Sequence, residues 1–225
     1  PEFIRPERNI KFEKCLVSTC PNWEGVHTME NSAYEFIDKA WGKILVITFE
    51  FAPRDEAIEW AKQLTESEAY KEHKVIILTH SWLDTAGNRI AKEGYTLSPC
   101  NWAEAVWQKL VYPSKNICLV LCGHTGAAPK IDGDVAKTDF KPTSSYRVDK
   151  AADGRNIPQM MFNSQQGDGD WNGNGGDCWL RILEFKPDGK TIGVRTFSPM
   201  FALSKLTQHL AWRTAEYDQY EIVIE

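Results

Sequence analysis

The chain has 225 residues, with 26 basic and 31 acidic side chains, a formal net charge of −5, 42% hydrophobic and 25% charged residues. Those figures exclude global disorder, collagen and coiled coil, and a chain of this length buries roughly 70% of its unfolded surface. No apolar run reaches the roughly 18 residues of a membrane span, none reads as a signal peptide, and the acidic balance offers no basic stripe for nucleic acid.

The chain begins Pro1-Glu2-Phe3 without a Met, which reads either as an expression scar over residues 1–3 or as a segment preceded by more polypeptide. Residues 31–38 and 43–51 alternate as two strands joined by Lys39-Ala40-Trp41-Gly42, a hairpin with a Gly turn. Pro53 ends the second strand. Ala57, Ile58, Trp60, Ala61 and Leu64 then recur at helical spacing over 54–67. Val75-Ile76-Ile77-Leu78 is a buried strand. Asn101 is placed to cap a helix carrying Ala103, Val106, Trp107 and Leu110, which Tyr112-Pro113 stops. Residues 116–122 form a second buried strand. Strand, helix, strand, helix, strand at this spacing predicts crossover units and a partly parallel sheet. Beyond Gly123 the pattern turns β-only, with strands over 144–149, 157–165, 178–185 and 191–198. The last two are joined by the turn Lys186-Pro187-Asp188-Gly189-Lys190. A short helix near 203–210 and a strand over 220–224 complete a reading as one domain, residues 1–225.

Six cysteines are too sparse for a disulfide scaffold, and no C-x-x-C is present. Cys15 and Cys20 are close enough in sequence to pair, which would place the chain in an oxidising compartment. Reading both as ordinary thiols leaves the compartment open. On a regular strand Cys118 and Cys122 share a face about 13 Å apart, as small buried hydrophobes.

His80 follows one buried strand and His124 follows the other. Ligands of open α/β sheets bind at this carboxyl edge, and two imidazoles delivered there by neighbouring strands can share a metal ion. Asp84, Asp132 and Asp134 lie in the loops that follow and are either further ligands or solvated loop carboxylates. Asp168-Gly169-Asp170-Trp171-Asn172-Gly173 reads as the first half of a calcium loop, D-x-D-x-N-G, with Asp168, Asp170 and Asn172 as its ligands. Its twelfth position is Trp179 rather than Glu, so it fails as an EF-hand. The other reading is a Gly-rich connection between strands. Trp82, Trp171 and Trp179 are candidates to line a cleft, on which a carbohydrate-binding module without hydrolysis is the alternative function. A third reading, an interaction protein, draws only on an exposed sheet edge.

The segments Leu78-Thr79-His80-Ser81-Trp82-Leu83 and Leu121-Cys122-Gly123-His124-Thr125-Gly126 resemble the C-terminal half of the calcineurin-like metallophosphoesterase family. Further likeness lies in Asn31-Ser32-Ala33-Tyr34, Leu45-Val46-Ile47-Thr48-Phe49-Glu50, Asn163-Ser164-Gln165, Gly175-Gly176-Asp177-Cys178-Trp179-Leu180-Arg181 and Thr196-Phe197-Ser198-Pro199. The resemblance implies an α/β fold, an α-β-β-α sandwich of mixed sheets, and hydrolysis of a phosphorylated small molecule at a dinuclear centre of manganese, iron or zinc. His80 matches the family's lone His and His124 the first His of G-H-x-H, both ligands of the same ion, and metal-bound water would be the nucleophile. Asn163 and Gln165 fall near the substrate, and likeness to extracellular-type members implies an extracytoplasmic location. The departures are specific. D-x-H, G-D-x-x-D and G-N-H-[DE] are absent, and Gly126 stands where the second His of G-H-x-H belongs. The expectation is therefore the C-terminal part of a phosphoesterase domain, inactive by itself because a bridging carboxylate is missing.

Overall fold

The computed structural model describes residues 14–125, 144–164 and 178–225. Seven strands form the main sheet: β1 (Leu16–Pro21), β2 (His27–Asp38), β3 (Gly42–Thr48), β4 (Lys74–Leu78), β5 (Ile117–Cys122), β6 (Ser144–Lys150) and β7 (Asn156–Phe162). Their spatial order is β1-β2-β3-β4-β5-β7-β6. The four central strands β3, β4, β5 and β7 run parallel, while β1, β2 and β6 are antiparallel to their neighbours. A second sheet has β9 (Thr191–Phe197) at its centre. It pairs with β8 (Leu180–Phe185) on one side, and with β10 (Trp212–Arg213) and β11 (Tyr220–Val223) on the other.

Side-chain alternation assigns the two faces of the main sheet. Leu45, Ile47, Val75, Ile77, Ile117, Val120 and Met161 pack against helix α1 (Asp55–Glu66) and the pair formed by α2 (Ala103–Val106) with the wider helical turn that follows, Trp107–Val111. Helix α1 offers Ala57, Ile58 and Ala61 to this layer, and Asp55 and Glu56 sit in its first turn, where carboxylates complement the helix dipole. On the opposite face Ile44, Ile76, Leu119 and Met160 meet Ile192, Val194, Ile222 and Ile224 of the small sheet. The layers are thus helix, large sheet, small sheet, a mixed α/β sandwich. Among the described residues no outer helical layer covers the small sheet. Only the five-residue α3 (Pro199–Leu203) and the short turn Gln208–Leu210 lie between β9 and β10, and neither buries a residue. That leaves the expected fourth layer of an α-β-β-α sandwich without helices here.

Several local readings change. Asn101 does not cap α2: Trp102 holds the cap position, and the Asn101 amide instead binds the Pro53 carbonyl and Asp55 at 2.9 Å each. The regular-strand geometry assumed for Cys118 and Cys122 also fails. Val75 pairs with Ile117 but Ile76 pairs with Leu119, so Cys118 is the extra residue of a bulge. Cys118 therefore faces the small sheet while Cys122 faces the helices. Burial pushes both thiols up to about 12, as fits inert packing residues. Cys15 and Cys20 are free: five Cα-to-Cα steps of near-extended chain separate them, about 16 Å, far beyond disulfide reach. Strand β1, which carries Cys20, and the two-residue β10 had no signal strong enough to be read from sequence.

Candidate functional site

Parallel strands put all their carboxyl ends on one edge, so β3, β4, β5 and β7 deliver Phe51, His80, His124 and Asn163 to the same place. The first contact is between backbones: the Gly123 N–H donates to the His80 carbonyl at 3.0 Å. The imidazoles then meet, His124 Nδ1 lying 3.0 Å from His80 Nε2. His124 has φ +64°, a left-handed backbone that turns its ring back over the edge. Asn163 Nδ2 donates to the His124 carbonyl at 2.9 Å, and the Thr125 hydroxyl donates to the Leu83 carbonyl at 2.8 Å. The sequence-predicted pair is therefore together, and Asn163 joins it through the backbone of His124.

Two partners were not visible in the sequence. Glu93 comes from the irregular stretch between β4 and α2 and puts Oε2 at 2.9 Å from His124 Nε2, while its Oε1 accepts the Ser81 hydroxyl. A loop carboxylate thirteen positions after His80 carries no periodic or spacing signal. Phe51 lies edge-on to His80 (5.6 Å between centroids) and 5.3 Å from His124, with Tyr95 and Trp102 at 5.2 and 5.8 Å on its other sides. Partial burial lowers the pKa of His80, the facing His124 lowers it further, and Glu93 pulls against both. The shift disfavours the protonated ring, and the neutral imidazole is the form that ligates a cation.

The donor set tests the metal expectation. Two nitrogens at about 2.1 Å from one ion, with ligand angles between square and tetrahedral, stand about 3.0–3.4 Å apart. The imidazole separation fits that span, and Glu93 behind His124 is the carboxylate that commonly backs a ligating His. Among the described residues no three His, Cys, Asp or Glu side chains converge as a ready metal cage. The described residues thus fit two ligands of one ion and do not supply a bridge to a second. Asp84 is not among them. Its Oδ1 accepts the Ala86 and Asn88 N–H groups at 2.9 and 2.8 Å and its Oδ2 accepts the Asn88 amide, a self-contained turn. Asp132, Asp134, Gln165, Asp168, Asp170, Trp171 and Asn172 lie outside the described residues.

The tryptophan cleft fares worse. Trp82 is buried, its indole donating to Gln159 Oε1, and Trp179 is buried beneath the Arg213 guanidinium and beside Phe201. Both are packing residues, because a ring this enclosed has no face left for a sugar.

No family model matches the chain. Among curated proteins it is similar to the uncharacterized protein YvnB of Bacillus subtilis (strain 168), 24% identical over 178 residues, which cover 79% of this chain. The matched part spans 12% of that relative's length. Among solved structures it is similar to the Haemophilus influenzae NAD nucleotidase NadN, with a TM-score of 0.33 and 10% identity over 85% of this chain and 27% of that one. Among the described residues no helix is long and apolar enough to cross a membrane.

Proposed function

We propose that the chain is the histidine-bearing part of a metal-dependent phosphoesterase, hydrolysing a phosphorylated small molecule at a dinuclear site. His80 Nε2 and His124 Nδ1 would be ligands of one divalent ion: zinc, manganese or iron. The observation that carries the reading is their 3.0 Å separation at the carboxyl edge of adjacent parallel strands. Support comes from the residue types and their order along the chain, which resemble the metallophosphoesterase pattern. A bound divalent ion would lower the pKa of a coordinated water toward neutrality and polarise the phosphoryl oxygens.

The chain's own residues do the rest. His80, as the neutral ring, and His124, backed by Glu93, present lone pairs to the cation. Asn163 holds the His124 backbone through its amide, and on this reading it would stand near the substrate. Phe51 packs its ring against both imidazoles. The bridging carboxylate and the second ion's ligands must come from outside the described residues. On this reading the parent protein works outside the cytoplasm, as the resemblance to extracellular-type members implies.

Titration of the chain with Zn²⁺ or Mn²⁺ tests this. Binding of one ion is expected, lost in His80→Ala and in His124→Ala, with turnover of p-nitrophenyl phosphate by the 225 residues near background. Failure of the unmodified chain to bind either ion, or undiminished binding by His80→Ala, would sink the reading. Efficient turnover abolished by His80→Ala would keep the enzyme and overturn the missing bridge.

A further inference from the structure

The geometry points to Glu93 as a positioning residue that fixes the tautomer of His124, aiming the Nδ1 lone pair of that ring at the space it shares with His80. The argument begins with the carboxylate. An ionised Glu only accepts hydrogen bonds, so the 2.9 Å contact between its Oε2 and His124 Nε2 places the His124 proton on Nε2. A neutral imidazole then has its lone pair on Nδ1, the atom that lies 3.0 Å from His80 Nε2. In the metal-free chain His80 Nε2–H donates into that lone pair. To hold an ion jointly, His124 would keep this tautomer, whereas His80 would have to carry its proton on Nδ1 instead of Nε2.

Glu93 is itself held. Its side chain is 13% exposed, against 22% for that of His124, and its second oxygen accepts the hydroxyl of Ser81, the residue directly after His80. The order Ser81, Glu93, His124, His80 is therefore a closed circuit that starts and ends on the same strand end. A carboxylate bonded to the outer nitrogen also makes the ring a better donor through its inner one. The use to which this orientation is put rests on the metal reading above. The orientation itself does not.

Two measurements separate the possibilities. In the metal-free chain, long-range ¹H–¹⁵N spectra of the histidine rings should show His124 as a single Nε2–H tautomer. Glu93→Ala should mix the two tautomers, and Glu93→Gln, whose Oε1 can still accept, should largely keep the first. Calorimetric titration with Zn²⁺ alone should show affinity weakened about 100-fold in Glu93→Ala and about 10-fold in Glu93→Gln, the range that loss of such a partner produces. Ser81→Ala should weaken it about threefold at most, since it removes only a support of Glu93. An unchanged His124 tautomer in Glu93→Ala overturns the assignment whether or not Zn²⁺ binds. Absence of Zn²⁺ binding by the unmodified chain, with the tautomer shift intact, leaves Glu93 positioning His124 and removes only the metal reading. Undiminished Zn²⁺ affinity in Glu93→Ala overturns the benefit to the ion.

Discussion

The indole N–H of Trp82 donates to Oε1 of Gln159 at 2.9 Å, with Trp82 1% and Gln159 0% exposed. The same Oε1 accepts Arg89 Nη1 at 3.2 Å, and the Gln159 amide donates to Asp149 Oδ2 at 2.7 Å. Arg89 continues to Asp149 and Glu104 and stacks over the Trp107 ring at 4.2 Å. This network ties the loop that begins at His80 to β6, β7 and α2, so the imidazole is anchored from beyond as well as from its own strand.

Gln159→Leu should therefore destabilise the chain by about 1–3 kcal/mol, because it strands the buried Trp82 indole N–H, while Asp149 Oδ2 keeps Arg89 and Arg147. Urea denaturation gives the value. A loss below about 0.5 kcal/mol would mean the network is not coupled to the core.

Asp149 gives the pH dependence its sign. Burial pushes its carboxyl up, but hydrogen bonds from Arg147 and Gln159 and the Arg89 charge outweigh this and hold it at about 2, below the ordinary 3.8. Between those values the unfolded chain binds the proton and the folded chain does not, so stability rises with pH. The contribution is complete above pH 4 and is lost as pH falls through 4 toward 2. Thermal unfolding across that window should fall more steeply for the native sequence than for Asp149→Asn. Parallel slopes would contradict the assignment.

His124 holds a left-handed backbone at φ +64°. His124→Ala and His124→Gly remove the same ring, but only glycine adopts this φ without strain. The glycine variant should be more stable than the alanine variant by about 1 kcal/mol, read from paired denaturation curves. Equal stabilities would show that the turn relaxes once the ring is gone.

Gly189 sits in the β8–β9 turn at φ +73°, where an added Cβ would collide with the Ala40 carbonyl. That contact lies beside the Trp41 indole bond to the Lys186 carbonyl (2.7 Å) and the Lys74 ammonium bond to the Gly189 carbonyl (3.1 Å), which join the two sheets. Gly189→Ala should cost about 2–4 kcal/mol, with strain and the displaced inter-sheet bonds adding. Insensitivity of the midpoint to this change would mean the turns move apart freely.

What the sequence made legible follows from periodicity. Val75–Leu78 and Ile117–Cys122 were readable as buried strands because nearly every residue is apolar, and such strands in a parallel sheet end on one edge. His80 and His124 can therefore be paired from the sequence alone. Glu93 could not be found this way, since it reaches the site through an irregular loop whose path depends on tertiary contacts. Trp82 misled for a related reason: next to a candidate ligand it looked like a cleft wall, yet the buried Gln159 amide gave its indole an interior partner. The helix cap failed likewise, because Asn101 has better acceptors in Pro53 and Asp55 than in its own helix.

The bulge at Cys118 bears on how this strand tolerates change in length. Ile117 and Leu119 already pair with the consecutive residues Val75 and Ile76. Deleting Cys118 would close the gap in the ladder without turning any later side chain to the other face. Val120, Cys122 and the Gly123–His124 turn would keep their places, and only one thiol would leave the interface with the small sheet. Deleting Leu119 instead would let Cys118 take its place opposite Ile76, since both face the small sheet, whereas a deletion within the regular stretch Val120–Cys122 has no extra residue beside it to absorb the change. The bulge is the strand's spare residue, a place at which the spacing between His80 and His124 can shorten by one while the two rings still meet.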